Sequence, residues 1–124
     1  WRNNAWMVER LPDLAKMNEA AKLLLTETDF ASFCKVGSDN KTTICNVTRA
    51  EWVMEGEVVT FHITADRFLR NMVRAIVGSL YEVGNGKWSV AEFNARFAQK
   101  NRGTMGTSAP AQGLYLTEVT YNNL

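Results

Sequence analysis

The stretch "ICNVTRAEWVMEGEVVTFHITADRFLRNMVRAIVGSLYEVG", residues 44–84, changes its periodicity at Asp66. Before that point two runs rich in β-branched and aromatic residues, "ICNVTRAEWVM" and "VVTFHIT", flank Glu55-Gly56-Glu57 and predict an antiparallel hairpin. In the second run Val59, Phe61 and Ile63 alternate with Thr60, His62 and Thr64, giving a core face and a wetter one. His62 falls on the wetter face and reads as a surface or interface histidine. After Asp66 the apolar residues recur at helical spacing. Asp66 is the expected N-cap and Gly84 the expected left-handed closing residue, so the predicted helix spans roughly 67–83.

This helix has two faces. Phe68, Leu69, Met72, Val73, Ile76, Val77, Leu80 and Val83 gather on one broad side at about 100° per residue. Arg67, Arg70 and Arg74 gather on the other, with Asn71, Gly78 and Tyr81 near them. The residues four positions on are Asn71, Arg74 and Gly78, so no acidic partner neutralises the arginines along the helix. A cationic stripe of this kind suits phosphate. Gly78 removes a side chain one turn beyond Arg74, which allows close approach of a backbone or ligand.

Working outward, Leu14, Met17, Ala21, Leu24 and Leu25 predict an amphipathic helix from Asp13 to near Thr28. Residues 29–43 begin with a short aromatic segment and pass into a turn-forming cluster, with mobility expected from Gly37 to Lys41. Ser89 and Glu92 have capping-box spacing and open a helix that carries Val90, Phe93 and Phe97 to about Lys100. A glycine-rich loop follows, and Leu114, Leu116, Val119 and Tyr121 suit a final strand. The order favours one α+β domain, with helices covering one face of a mainly antiparallel sheet.

Composition narrows the function classes. The chain has 124 residues, 46% of them hydrophobic, and a formal charge of +1, so it can bury a core but its net charge selects no partner. No long apolar run or signal-like amino terminus is present, and the chain reads as a soluble, cytoplasmic protein with no membrane partner. Cys34, Cys45 and His62 have no metal-ligand spacing, so no metal site is expected. The chain starts at Trp1 without a methionine and reads as a piece of something longer.

The series "DFASFC", "ADRFLRNMVRAIVGSLYEVGNGK" and "TSAPAQGLYLTEVTY", in this order and at these separations, resembles the carboxy-terminal half of the tRNA pseudouridine synthase A family. The resemblance runs from Asp29 onward and more loosely over the preceding helix. It implies a pseudouridine synthase-like half domain, an isomerase that converts uridine to pseudouridine in the tRNA anticodon arm, and no cofactor or metal. It also implies tRNA as partner and a homodimer. The arginine of the family's "MVR" motif lies beside the catalytic aspartate, and Arg74 matches it. A guanidinium there favours the charged carboxylate and fixes its orientation. Leu114 matches the region whose aliphatic side chain lies against uracil. Arg67 and Arg70, with Lys35 and Lys41 from the loop, are the expected RNA-phosphate contacts.

One departure limits what this chain can do. The family's nucleophile follows Arg-Thr, whereas Asp13, Asp29, Asp39 and Asp66 follow Pro, Thr, Ser and Ala. Residues 1–124 therefore read as a carboxy-terminal domain without its amino-terminal catalytic-aspartate half, inactive alone. The alternative is a non-catalytic RNA-binding or dimerisation domain, with Trp1, Trp6 or Trp88 at the interface.

Overall fold

The computed structural model describes residues 12–34, 42–55, 58–69, 71–100, 102, 105 and 117–121. Among them, helix α1 is Leu14–Ala21, strands β1 and β2 are Val47–Glu55 and Val58–Ala65, helices α2 and α3 are Met72–Gly84 and Val90–Ala98, and strand β3 is Thr117–Tyr121. The α+β class expected from the sequence holds. The hairpin β1–β2 is antiparallel, with Trp52 opposite Phe61 and a bulge between Val47 and Arg49. The sheet order is β1-β2-β3, and β3 lies parallel to β2 with Ile63 opposite Val119. A parallel neighbour needs a crossover, which α2 and α3 supply.

The alternation in the hairpin sorts its two faces. Ala50, Trp52, Phe61 and Ile63 are buried, and the Trp52 and Phe61 rings lie 4.8 Å apart. Arg49 and Glu51, on the alternate set, are exposed and pair with each other at 2.6 Å. His62 departs from the expected wet position: only 8% of its surface is exposed. Its strand is central, in backbone register with Glu51 of β1 on one side and with residue Glu118 of β3 on the other.

Helix α1 starts where Asp13 caps it, Oδ1 accepting from the Lys16 N–H at 3.1 Å. It ends earlier than its periodicity implies, tightening into a 3-10 turn over Lys22–Leu25. Met17, Ala20, Ala21 and Leu24 are fully buried. Asn18 turns toward strand β1, where its amide meets the Trp52 backbone twice. Helix α3 follows its expected outline: Ser89 Oγ accepts from the Glu92 N–H at 3.0 Å, and Phe93 and Phe97 are buried. Their rings join Phe30 and Phe33, which a 3-10 turn over Ala31–Phe33 carries inward; Phe33 and Phe97 meet edge-on at 5.0 Å.

Helix α2 differs from its expected bounds at both ends. It begins at Met72 and not near Arg67: residues 66–69 are non-helical, and Asn71, at the N-cap position, has φ 64 and ψ 8, a left-handed conformation outside the helical range. Asp66 does not cap it: its carboxylate takes the Asn46 N–H at 2.8 Å and Asn46 Nδ2 at 2.9 Å. At the other end Gly84 is the last helical residue, and Gly86 carries the positive φ, at 86°. Gly84 is needed for space. A Cβ there would run into Met17 Sδ and lie 2.8 Å from Pro12 Cβ, while the Gly84 carbonyl accepts from the Asp13 N–H at 2.9 Å.

The apolar face of α2 is as wide as predicted, with Met72, Ile76, Val77, Leu80 and Val83 all buried. Gly78, expected on the arginine side, is buried as well. Phe68 and Leu69 contribute from the segment before the helix, where Leu69 is buried and Phe68 packs against the core.

Candidate functional site: the entrance to helix α2

Three stretches distant in sequence are laced together ahead of α2. The Cys45 N–H donates to the Thr28 carbonyl and the Phe30 N–H to the Thr43 carbonyl, both at 2.8 Å. Asp29 Oδ1 accepts from the Ala31 N–H at 3.1 Å and from Thr43 Oγ1 at 2.6 Å. Residues 66–67 then clasp the same segment. Asp66 holds Asn46, and Arg67 Nη1 donates to the Thr42 and Ile44 carbonyls, each at 3.0 Å.

Two shifts in ionisation follow from this packing. The Asn46 N–H and amide stabilise the charged form of Asp66, so its carboxyl titrates below the ordinary carboxylate range. Burial disfavours the Cys45 thiolate and pushes the thiol up to about 11, against the opposing pull of Arg67. Cys45 is thus a core residue, its Sγ 3.9 Å from Met72 Sδ.

Of the expected site residues, Arg67 and Arg74 are described. Arg74 lies in the first turn of α2, partly buried. Arg67 lies outside the helix with its guanidinium on backbone carbonyls, so the two do not form one helical stripe. Arg70, Lys35, Lys41 and Leu114 lie outside the described residues, as does the turn cluster from Gly37 to Lys41. Among candidate interface tryptophans, Trp1 and Trp6 also lie outside them. Trp88 is buried with the Arg96 guanidinium 4.5 Å above its ring, which accounts for it within the fold.

Each described aspartate already has a local task. Asp13 caps α1, Asp29 fastens Ala31 and Thr43, and Asp66 fastens Asn46. Sequence reasoning missed the clasp because its partners are twenty or more residues apart. Asn71 did carry a signal, since asparagine tolerates the left-handed region better than most residues. Among the described residues no cluster of three or more His, Cys, Asp or Glu could hold a metal, and no helix is long and apolar enough to cross a membrane.

A model of the tRNA pseudouridine synthase family matches residues 20–122. The chain is 54% identical over 110 residues to tRNA pseudouridine synthase A of Bacteroides fragilis, covering 88% of this chain and 44% of that protein. It is 47% identical over 121 residues to tRNA pseudouridine synthase A of Parabacteroides distasonis, covering 95% and 48%. The protein of the same name from Anoxybacillus flavithermus is 42% identical over 107 residues, covering 86% and 44%. The chain spans less than half the length of these curated relatives.

Proposed function

The chain belongs to the tRNA pseudouridine synthase family, and from that premise we propose that it forms the carboxy-terminal part of an enzyme isomerising uridine to pseudouridine in the tRNA anticodon arm. The reaction breaks the bond between uracil N1 and the ribose and joins the same sugar carbon to C5. The C5 proton leaves and N1 is protonated, so atoms balance without a co-substrate. The observation that carries this reading is the identity with synthases of this name over 86% or more of the chain, and the run Met72-Val73-Arg74 opens α2.

In this proposal Arg74 pairs with the nucleophilic aspartate supplied by the rest of the enzyme. The employment of Asp13, Asp29 and Asp66 in caps and clasps supports a nucleophile from outside these positions. Arg70, Lys35 and Lys41 contact tRNA phosphates, and Leu114 lies against the target uracil. Arg67 adds positive charge to that surface while its Nη1 holds the Thr42 and Ile44 carbonyls. The complete enzyme is cytoplasmic and works as a homodimer on tRNA.

The test is tritium release from C5-labelled uridine in tRNA, measured on the full-length protein, its Arg74 variants and the present chain. Arg74→Ala should lower kcat far more than tRNA binding, and Arg74→Lys should restore part of the rate, because an ammonium keeps charge but loses the two-point contact. The present chain alone should release no tritium. An Arg74→Ala enzyme with normal turnover would remove the arginine from the site, and release by the chain alone would overturn the assignment of the nucleophile.

A further inference from the structure

The helical repeat that contains Arg67, Arg70 and Arg74 does not produce one continuous helix: residues 66–69 are non-helical, and α2 starts at Met72, directly after Asn71 with its positive φ. Asn71 is one of two described non-glycine residues with positive φ, the other being Lys100. The chain around it is fixed on both sides. Upstream, Asp66 and Arg67 bind Asn46, Thr42 and Ile44. Downstream, the Met72 N–H donates to the Leu69 carbonyl at 3.1 Å, and Met72 Sδ faces the Leu69 N–H at 3.4 Å and Cys45 Sγ at 3.9 Å. The Ala75 N–H then donates to the Asn71 carbonyl at 3.1 Å, beginning the helical ladder with Arg74 in its first turn.

We infer that Asn71 is a positioning residue for Arg74: its left-handed backbone turns the chain out of the clasp and sets the direction from which α2 presents the arginine. The inference rests on the proposed role of Arg74. If right-handed helix ran back through Asn71, Arg67 and Arg74 would share a face at seven-residue spacing, and like charges would compete for one carboxylate. With the left-handed break, Arg67 is directed to the carbonyls of residues 42 and 44 while Arg74 stays on the helix. The non-helical stretch 66–69 and the left-handed Asn71 that ends the approach to α2 thus divide the cationic repeat into an anchoring arginine and an active-site arginine. Asparagine and glycine reach this conformation at low cost, whereas alanine favours continued right-handed helix.

The experiment compares Asn71→Gly and Asn71→Ala in the full-length protein by tritium release, each with Arg74 intact and with Arg74→Ala. Asn71→Gly should keep the parent kcat. Asn71→Ala should lose about 10- to 100-fold in kcat with KM unchanged, the usual effect of a small misplacement of an active-site group. In the Arg74→Ala background the same substitution should cause no further loss, because its effect acts through that side chain. Equal losses in both backgrounds, or an Asn71→Ala enzyme with the parent kcat, would overturn the inference while leaving the role of Arg74 intact. Normal turnover by Arg74→Ala would instead remove the premise and the inference with it. Asn71→Ser, also disfavoured in the left-handed region relative to asparagine, provides the same comparison if the alanine variant does not fold.

Discussion

The side-chain amide of Asn18 acts as a strand partner for Trp52, accepting its N–H at 2.6 Å and donating to its carbonyl at 3.0 Å. Among the described residues strand β1 is an edge of the sheet, and Asn18 meets both Trp52 backbone groups on the side away from β2. Helix α1 therefore covers part of the edge with hydrogen bonds as well as apolar contact, which removes a place where another strand could add.

Asn18→Ala should destabilise the fold by about 1–3 kcal/mol, because it leaves a partly buried donor and acceptor without their partner. Native-state hydrogen exchange gives a local readout. The Trp52 amide should exchange faster in the variant than in the parent, while the buried residues of α3 keep their protection. Unchanged exchange at Trp52 would mean that water replaces the amide at no cost.

Gly84→Ala should destabilise by about 1–3 kcal/mol through overpacking. Met17 is fully buried and cannot swing into solvent, and Pro12 is rigid, so the added methyl has no easy exit. Thermal melting measures this. Met17→Ala combined with Gly84→Ala should lose less than the sum of the two single losses, since the first makes room for the second.

Ile76→Asp should abolish cooperative unfolding. Ile76 has no exposed surface, and an unpaired carboxylate at that position costs on the order of several kcal/mol. Circular dichroism during heating distinguishes this from a tolerated change, which would show a sharp transition near the parent temperature.

Asp66 predicts an acid-sensitive component of stability. Its folded carboxyl titrates below the ordinary range, so its contribution is present above the unfolded value, about 4, and is lost as pH falls through the folded value. Denaturant titrations at several pH values should show the parent losing stability faster than Asp66→Asn below about pH 4. Parallel curves would remove Asp66 from the acid response.

The legible elements were those fixed by neighbours in sequence. Ser89 and Glu92 are three residues apart, and the cap they predict is the cap that forms. The alternation through Phe61 and Ile63 likewise needs only adjacent residues to identify the buried face. The entrance to α2 follows a different rule, because Asp66 is drawn to Asn46 and Arg67 to Thr42 and Ile44. A cap signal at Asp66 competes there with contacts that exist only after the chain has folded back. The same applies to the direction of β3, since residues suited to a strand do not specify which neighbour it joins. Of the predicted site, the "MVR" helix was legible, but the separation of Arg67 from Arg74 was not, because periodicity does not reveal one left-handed residue within a helical pattern.

The position of β3 also sets an order of events during synthesis. Strand β2 emerges from the ribosome with β1 beside it, yet among the described residues its second edge is paired by residues 117–121, which are made later. Both helices between them are translated first. During that interval "VVTFHITA" is a β-prone segment with an open side, the kind of surface that recruits a neighbouring nascent chain or a chaperone. Ribosome stalling before residue 117 would prolong the exposure, and release past residue 121 would close it.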